Sequence, residues 1–158
     1  QFAALNWACS FADIDWKQEG RGSAKLTSLA YDLGFFYDAH RAEMDCHALL
    51  AVLMASLKTS QASGLSRLID SARSSTFRLQ ATNAPFDAKD LLKARGYRWD
   101  GAQKVWHTRS GNASALALEC EWLKAAVYAG RSSRVQVEEL DAKTNYSARP
   151  GQIGWREL

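Results

Sequence analysis

The hydrophobic period of this chain changes at Thr76, and that change limits what the chain can fold into. Before it, apolar residues recur three and four apart: Leu26, Leu29, Ala30 and Leu33, then Leu49, Val52 and Leu53. Such spacing lines one side of a helix. From Thr76 onward Phe77, Leu79 and Ala81 alternate with Arg78 and Gln80. That is the period of a strand with one buried face. The chain is therefore expected to be α/β, with a helical N-terminal part and a mixed C-terminal part.

Local signals place the elements. Ser23 is expected to cap a helix that Gly34 closes. A second helix, Ala42 to Leu57, is expected to follow the His40 motif. Residues 58–64, rich in Ser, Thr, Gln and Gly, read as a domain edge, and residues 65–72 as a short helix. Pro85 opens a helix that Gly96 ends, and residues 97–99 and 104–107 form a hairpin around Asp100-Gly101. Asn112 caps a long helix, and residues 135–140 alternate as a last strand. The order β-α-β-β-α-β permits a small ferredoxin-like α+β unit. After Asn145 the Gly, Pro and Arg content predicts a loose tail, with Trp155 folding back on the domain. The expected organisation is 1–58, a linker with a short helix at 59–75, and a small α+β domain with its tail at 76–158.

With 158 residues, 47% of them hydrophobic, the chain has the material for one ordinary domain or two small ones and is not a disordered chain. No apolar run approaches the ~20 residues of a membrane span, so no membrane partner is expected. The three cysteines, Cys9, Cys46 and Cys120, lack zinc-ligand spacing. They read as buried thiols of a reducing, cytoplasmic protein. A net charge of +3 permits contact with a polyanion without requiring it.

The run His40-Arg41-Ala42-Glu43-Met44-Asp45-Cys46 sets an imidazole five residues ahead of a carboxylate. Histidine moves protons near neutral pH, and aspartate ligates divalent cations. On a helix Asp45 shares its side with Leu49, Val52 and Leu53. A carboxylate there needs a metal ion, a hydrogen-bond donor or a salt bridge. Spacing alone favours an aspartate that caps or salt-bridges a neighbouring element, with His40 an ordinary helix-start residue.

The longer pattern is more specific. Cys9-Ser10, Ile14-Asp15-Trp16, Ala24-Lys25-Leu26, Leu29-Ala30, Leu33-Gly34-Phe35, Ala39-His40-Arg41-Ala42, Asp45-Cys46 and Ala48 together resemble the third-motif region of the DEDDh 3′–5′ exonucleases. This is the group similar to the epsilon subunit of DNA polymerase III, and the resemblance covers Asn6 to about Leu53. It implies the C-terminal helical part of a ribonuclease H-like exonuclease domain. It also implies that His40 is the general base toward the attacking water and that Asp45 ligates one of two Mg2+ or Mn2+ ions. The substrate it implies is single-stranded 3′ ends of nucleic acid, with a replication or repair partner.

The family's first motif, Asp-x-Glu, and its second aspartate have no counterpart. Asp13-Ile14-Asp15 falls within the Cys-Ser…Trp segment and is not assigned to the first motif. The sequence starts at Gln1, and the expectation is a partial chain that is inactive alone, since two ions need several carboxylates.

The second informative segment is Leu91-Leu92-Lys93-Ala94-Arg95-Gly96-Tyr97-Arg98-Trp99-Asp100 with Lys104-Val105-Trp106. It resembles a C-terminal extension carried by some exonucleases of the same family. Residues 76–110 hold seven Lys or Arg against three Asp. Trp99 and Trp106, with Tyr97, are candidates to stack on unpaired bases. Arg78, Arg95, Arg98 and Lys104 are candidates to meet phosphates. Strand alternation equally allows Tyr97 and Trp99 to be core, with Arg98 solvated opposite. The alternative to an exonuclease is therefore a non-catalytic module that binds nucleic acid or docks a partner.

Overall fold

The computed structural model describes residues 2–158. The chain is mixed α/β, and it divides into two compact units: Trp7–Arg73, and Ser74–Leu158 with the short segment before Trp7.

The first unit contains α1 (Leu26–Asp32), α2 (Ala42–Met54) and α3 (Gly64–Arg73). Its core is Ile14, Trp16, Leu29, Val52, Leu53 and Leu57, with Leu26, Leu33 and Leu49 partly buried against it. The apolar spacing before Thr76 thus faces inward as its period requires. Gly34 ends α1 at φ +86°, where its N–H donates to the Tyr31 carbonyl. Ser23 is not the helix cap. Lys25 holds that position with no side-chain bond, and the Ser23 hydroxyl accepts from the Lys25 N–H at 3.2 Å. It closes a turn ahead of the helix instead.

The second helix is shorter than its apolar spacing suggests. His40 has φ +70° and Arg41 is extended, so the helix cannot start before Ala42. At the other end Ala55 is extended, and the chain reverses through a Ser56–Ser63 bridge into α3. Gly64 lies against α2, where an added Cβ would sit 3.1 Å from the Leu53 Cα.

Two buried charges fasten the loops of this unit. The Glu19 carboxylate accepts from the Ser60 N–H at 3.0 Å and faces Arg67 at 3.6 Å. Arg21 pairs with Asp32 at 3.5 Å.

The second unit is a five-stranded antiparallel sheet with helices on one face. Its elements are β1 (Thr76–Ala81), α4 (Lys89–Ala94), β2 (Arg98–Asp100), β3 (Val105–Ser110), α5 (Ala113–Trp122), β4 (Arg134–Leu140) and β5 (Gln152–Glu157). The strands lie in the order β2-β3-β1-β4-β5. A single 3-10 turn, Phe86–Ala88, leads into α4, and a wider turn, Leu123–Val127, continues α5. The Asn112 side chain accepts from the Ala115 N–H at 2.8 Å, as an N-cap should.

Alternation sorts the two faces of the sheet. Phe77, Leu79, Ala81, Val135 and Val137 face the helices, where Leu92, Leu116, Cys120, Leu123 and Val127 complete the core. The opposite face is polar, with Arg78, Gln80, His107, Arg109, Gln136 and Glu138.

The stretch after Asn145 is not a loose tail. Residues 152–157 form β5, paired to β4 from Glu139↔Gln152 to Arg134↔Glu157. Every β5 residue is exposed, so no apolar alternation announces the strand. Gly151 admits the close approach, since a Cβ there would stand 2.1 Å from the Glu139 carbonyl oxygen. Trp155 stays half exposed over the Arg134 guanidinium, 4.7 Å away. Among the described residues no helix is long and apolar enough to cross a membrane.

Candidate functional site

The left-handed backbone of His40 follows from a tight Ala39-His40 turn between α1 and α2. Histidine tolerates that region better than most side chains, but at a strain found preferentially at functional positions. The imidazole is exposed. Asp38 and Arg41 flank it as an ion pair at 2.9 Å.

Asp45 lies in the first turn of α2, with its N–H donating to the Arg41 carbonyl at 2.9 Å. Its side chain is partly buried and accepts the Tyr37 hydroxyl. Burial first, and then the Asp45 carboxylate, push the Tyr37 phenol above its usual value. The apolar side of α2 therefore has its hydrogen-bond donor, and it is a tyrosine that the spacing did not single out.

Neither Asp13 nor Asp15 joins this site. Asp13 accepts from the Cys9 N–H at 2.7 Å, and Asp15 from the Gln18 N–H at 2.9 Å. Both close loop turns. Among the described residues no group of three His, Cys, Asp or Glu could hold a metal ion. One carboxylate bonded to a tyrosine does not by itself fit a pair of divalent cations. Of the thiols, Cys120 is buried, Cys9 half-buried and Cys46 exposed, so the expectation of three buried cysteines fails at Cys46. Cys46 sits on the solvent side of α2, one residue past Asp45.

In the second unit the proposed nucleic-acid contacts separate. Arg78 reaches Asp100 at 3.0 Å and Glu138 at 4.0 Å on the polar sheet face. Asp100 is held below the usual aspartate range by the backbone N–H groups of Gln103 and Ala102 and by Arg78. His107 is nearby and is lowered, mainly by burial and then by Arg78. Arg95 pairs with Glu119 at 3.1 Å and covers the Trp122 ring at 4.8 Å. Tyr97 is core, stacked on Trp122 with centroids 6.0 Å apart. Arg98 and Lys104 are exposed, Lys104 in the hairpin loop at φ +52°.

Trp99 and Trp106 stay together. They face each other across β2 and β3, with centroids 5.4 Å apart and planes at 58°. Trp99 is 51% exposed, so alternation with the buried Tyr97 does not hold: Tyr97 precedes β2, and the edge position leaves Trp99 uncovered. Beside the pair runs a groove of about 490 Å³ lined by Pro85, Phe86, Lys89, Lys93, Trp99 and Trp106. Phe86 is 79% exposed, and the Lys89 ammonium sits 4.6 Å from its ring centre. Sequence reasoning missed Phe86, Lys89 and Lys93. The signal was there, because Lys89 and Lys93 are four apart on one helix and fall on one side.

Comparison with family models, with curated proteins and with solved structures gives no match to this chain.

Proposed function

We propose that residues 7–57 supply the His-x4-Asp motif of a DEDDh-type 3′–5′ exonuclease, the C-terminal part of a ribonuclease H-like domain, and that the second unit is a ferredoxin-like companion to it. The observation that carries the catalytic reading is His40. An exposed imidazole is held in a left-handed turn, directly before the helix whose first turn bears Asp45. A general base has to reach the proton it takes from water, and the exposed His40 imidazole is accessible to one. In this reading His40 takes the proton from a water attacking a phosphodiester. Asp45, released from or shared with Tyr37, is one ligand among several in a site that needs further carboxylates. This sequence alone is inactive in that reading. The ferredoxin-like reading is supported by the strand order, in which β1 is flanked by β3 and β4 and β2 lies beyond β3.

The test is Mn2+-dependent degradation of a 3′-labelled single-stranded oligonucleotide. It compares this chain with a longer one carrying the first two family motifs upstream of Asn6. Activity is expected in the longer chain only. His40→Ala is expected to lower kcat there by about 10²–10⁴-fold, the usual contribution of a general base. Undiminished activity of His40→Ala would overturn the assignment.

A further inference from the structure

We propose that the groove beside α4 binds single-stranded nucleic acid, with bases stacking on Trp99 and Phe86 and phosphates meeting Lys89 and Lys93. The inference rests on the second unit alone and stands whether or not the exonuclease reading holds.

Two large aromatic rings are open to solvent within one groove, at 79% for Phe86 and 51% for Trp99. Each is braced by one neighbour. Trp106, half-buried, supports Trp99, and Lys89 lies over Phe86. Braced, exposed rings offer π-faces that any base can use. The groove's volume of about 490 Å³ lies in the range of sites for compact ligands, and a duplex does not enter such a space.

Charge selects the partner's sign. Neither Lys89 nor Lys93 is in an ion pair among the described residues, whereas Arg78 and Arg95 are both neutralised by carboxylates. The groove therefore presents two ammonium groups that no carboxylate neutralises, that of Lys89 resting on the Phe86 ring. Cations interleaved with aromatics fit a strand that alternates phosphates with bases.

The other sheet face offers no competing platform. Some RNA-binding sheets stack bases on strand aromatics there. Here that face carries the Arg78–Asp100–Glu138 cluster and a Gln80–Gln103 hydrogen bond of 2.8 Å, and Thr144, Asn145 and residues 147–150 line the pocket over it.

The experiment is fluorescence anisotropy of fluorescein-labelled dT10 and rU10 titrated with the full chain, at about 50 and 200 mM salt. Saturable binding that weakens with salt is expected for at least one of the two. Trp99→Ala is expected to weaken it about tenfold, and Trp99→Phe much less, because stacking on one ring is lost or kept. Lys93→Gln should weaken binding and flatten the salt dependence by about one ion. Arg98→Gln makes the same charge change on the opposite face and is expected to stay within about twofold of the parent. Lys93 is exposed, so its variant reads binding even where Trp99→Ala unfolds. Absence of binding at low salt overturns the proposal. So do equal losses for Lys93→Gln and Arg98→Gln, or an unchanged Kd for Trp99→Ala and Lys93→Gln. Displacement of the oligonucleotide by an equal concentration of a ten-residue polyglutamate would reassign the groove to an acidic protein partner.

Discussion

In residues 74–158 every helix feeds one apolar layer, and Leu79, Leu92, Leu123 and Val135 have no solvent contact at all. In residues 7–73 the core is six residues, and two buried charges, Glu19 and Arg21, fasten the loops around it. Exposed apolar side chains do not separate the units: Phe11, Phe36, Leu50 and Met54 are mostly exposed in the first, and Phe86, Leu118, Ile153 and Trp155 in the second. Apolar burial scales with area and needs no precise partner. Buried ions hold only while each stays paired. The second unit should therefore be the more robust body. The first holds the proposed catalytic histidine on a thinner foundation, with strain at His40 as part of it.

The largest test of that contrast is Leu123→Ala. It should cost the second unit about 3–4 kcal/mol and leave the first unit's transition where it was. Calorimetry resolving two transitions checks this. A shift of both by the same amount would mean that the units unfold as one.

Gly151→Ala comes next, at about 2–3 kcal/mol, because its Cβ meets first the Glu139 carbonyl, a backbone group, and then the Leu140 side chain. The loss should appear as fast amide exchange in β5 and β4. Gly64→Ala is its counterpart in the first unit. The approach to Leu53 is less severe, and about 1–2 kcal/mol is expected from α3 moving off α2.

Acid should separate the units residue by residue. Asp100 and Asp141 titrate below their ordinary value in the second unit, and Glu19 does so in the first. The Glu19 shift comes first from the Ser60 N–H. For each, the stabilisation is complete above an unfolded-state pKa of about 4 and is lost as pH falls through the lowered folded-state value. Glu19→Gln should flatten the acid limb of the first unit only, and Asp100→Asn that of the second. Tyrosine and tryptophan fluorescence against pH from 2 to about 5 reads both.

The smallest effect is at His40. His40→Gly removes the left-handed strain, and the freedom glycine adds to the unfolded chain offsets part of that gain, so stability should rise by up to about 1 kcal/mol. A lowered Tm would mean that the imidazole makes a structural contact.

Where residues repeat with a clear period, the fold was legible in the sequence. Leu26 to Leu33, the β1 alternation, the Asn112 cap and the hairpin around Asp100 all lie where their patterns place them. Strand β5 was not legible, because an edge strand exposed on both faces has no apolar period, and Pro150 and Gly151 read as loop. The second helix starts at Ala42 as expected but stops at Met54, short of Leu57, because Ala55 turns extended where the apolar spacing runs on. At the candidate sites, Asp45's need for a donor was foreseeable from its apolar neighbours, but Tyr37 was not, since it comes from a loop. The carboxylate partners of Arg78 and Arg95 were not legible, because Asp100, Glu138 and Glu119 reach them only through sheet pairing and helix packing.

The division between the units comes down to one kinetic comparison. In the longer chain that carries the first two motifs, His40→Ala and Trp99→Ala are each assayed for Mn2+-dependent removal of nucleotides from a single-stranded 3′ end. The account predicts that His40→Ala lowers kcat with little change in KM, while Trp99→Ala raises KM and spares kcat. If His40→Ala keeps its full kcat, the histidine is not the base, and the catalytic reading of the first unit is wrong.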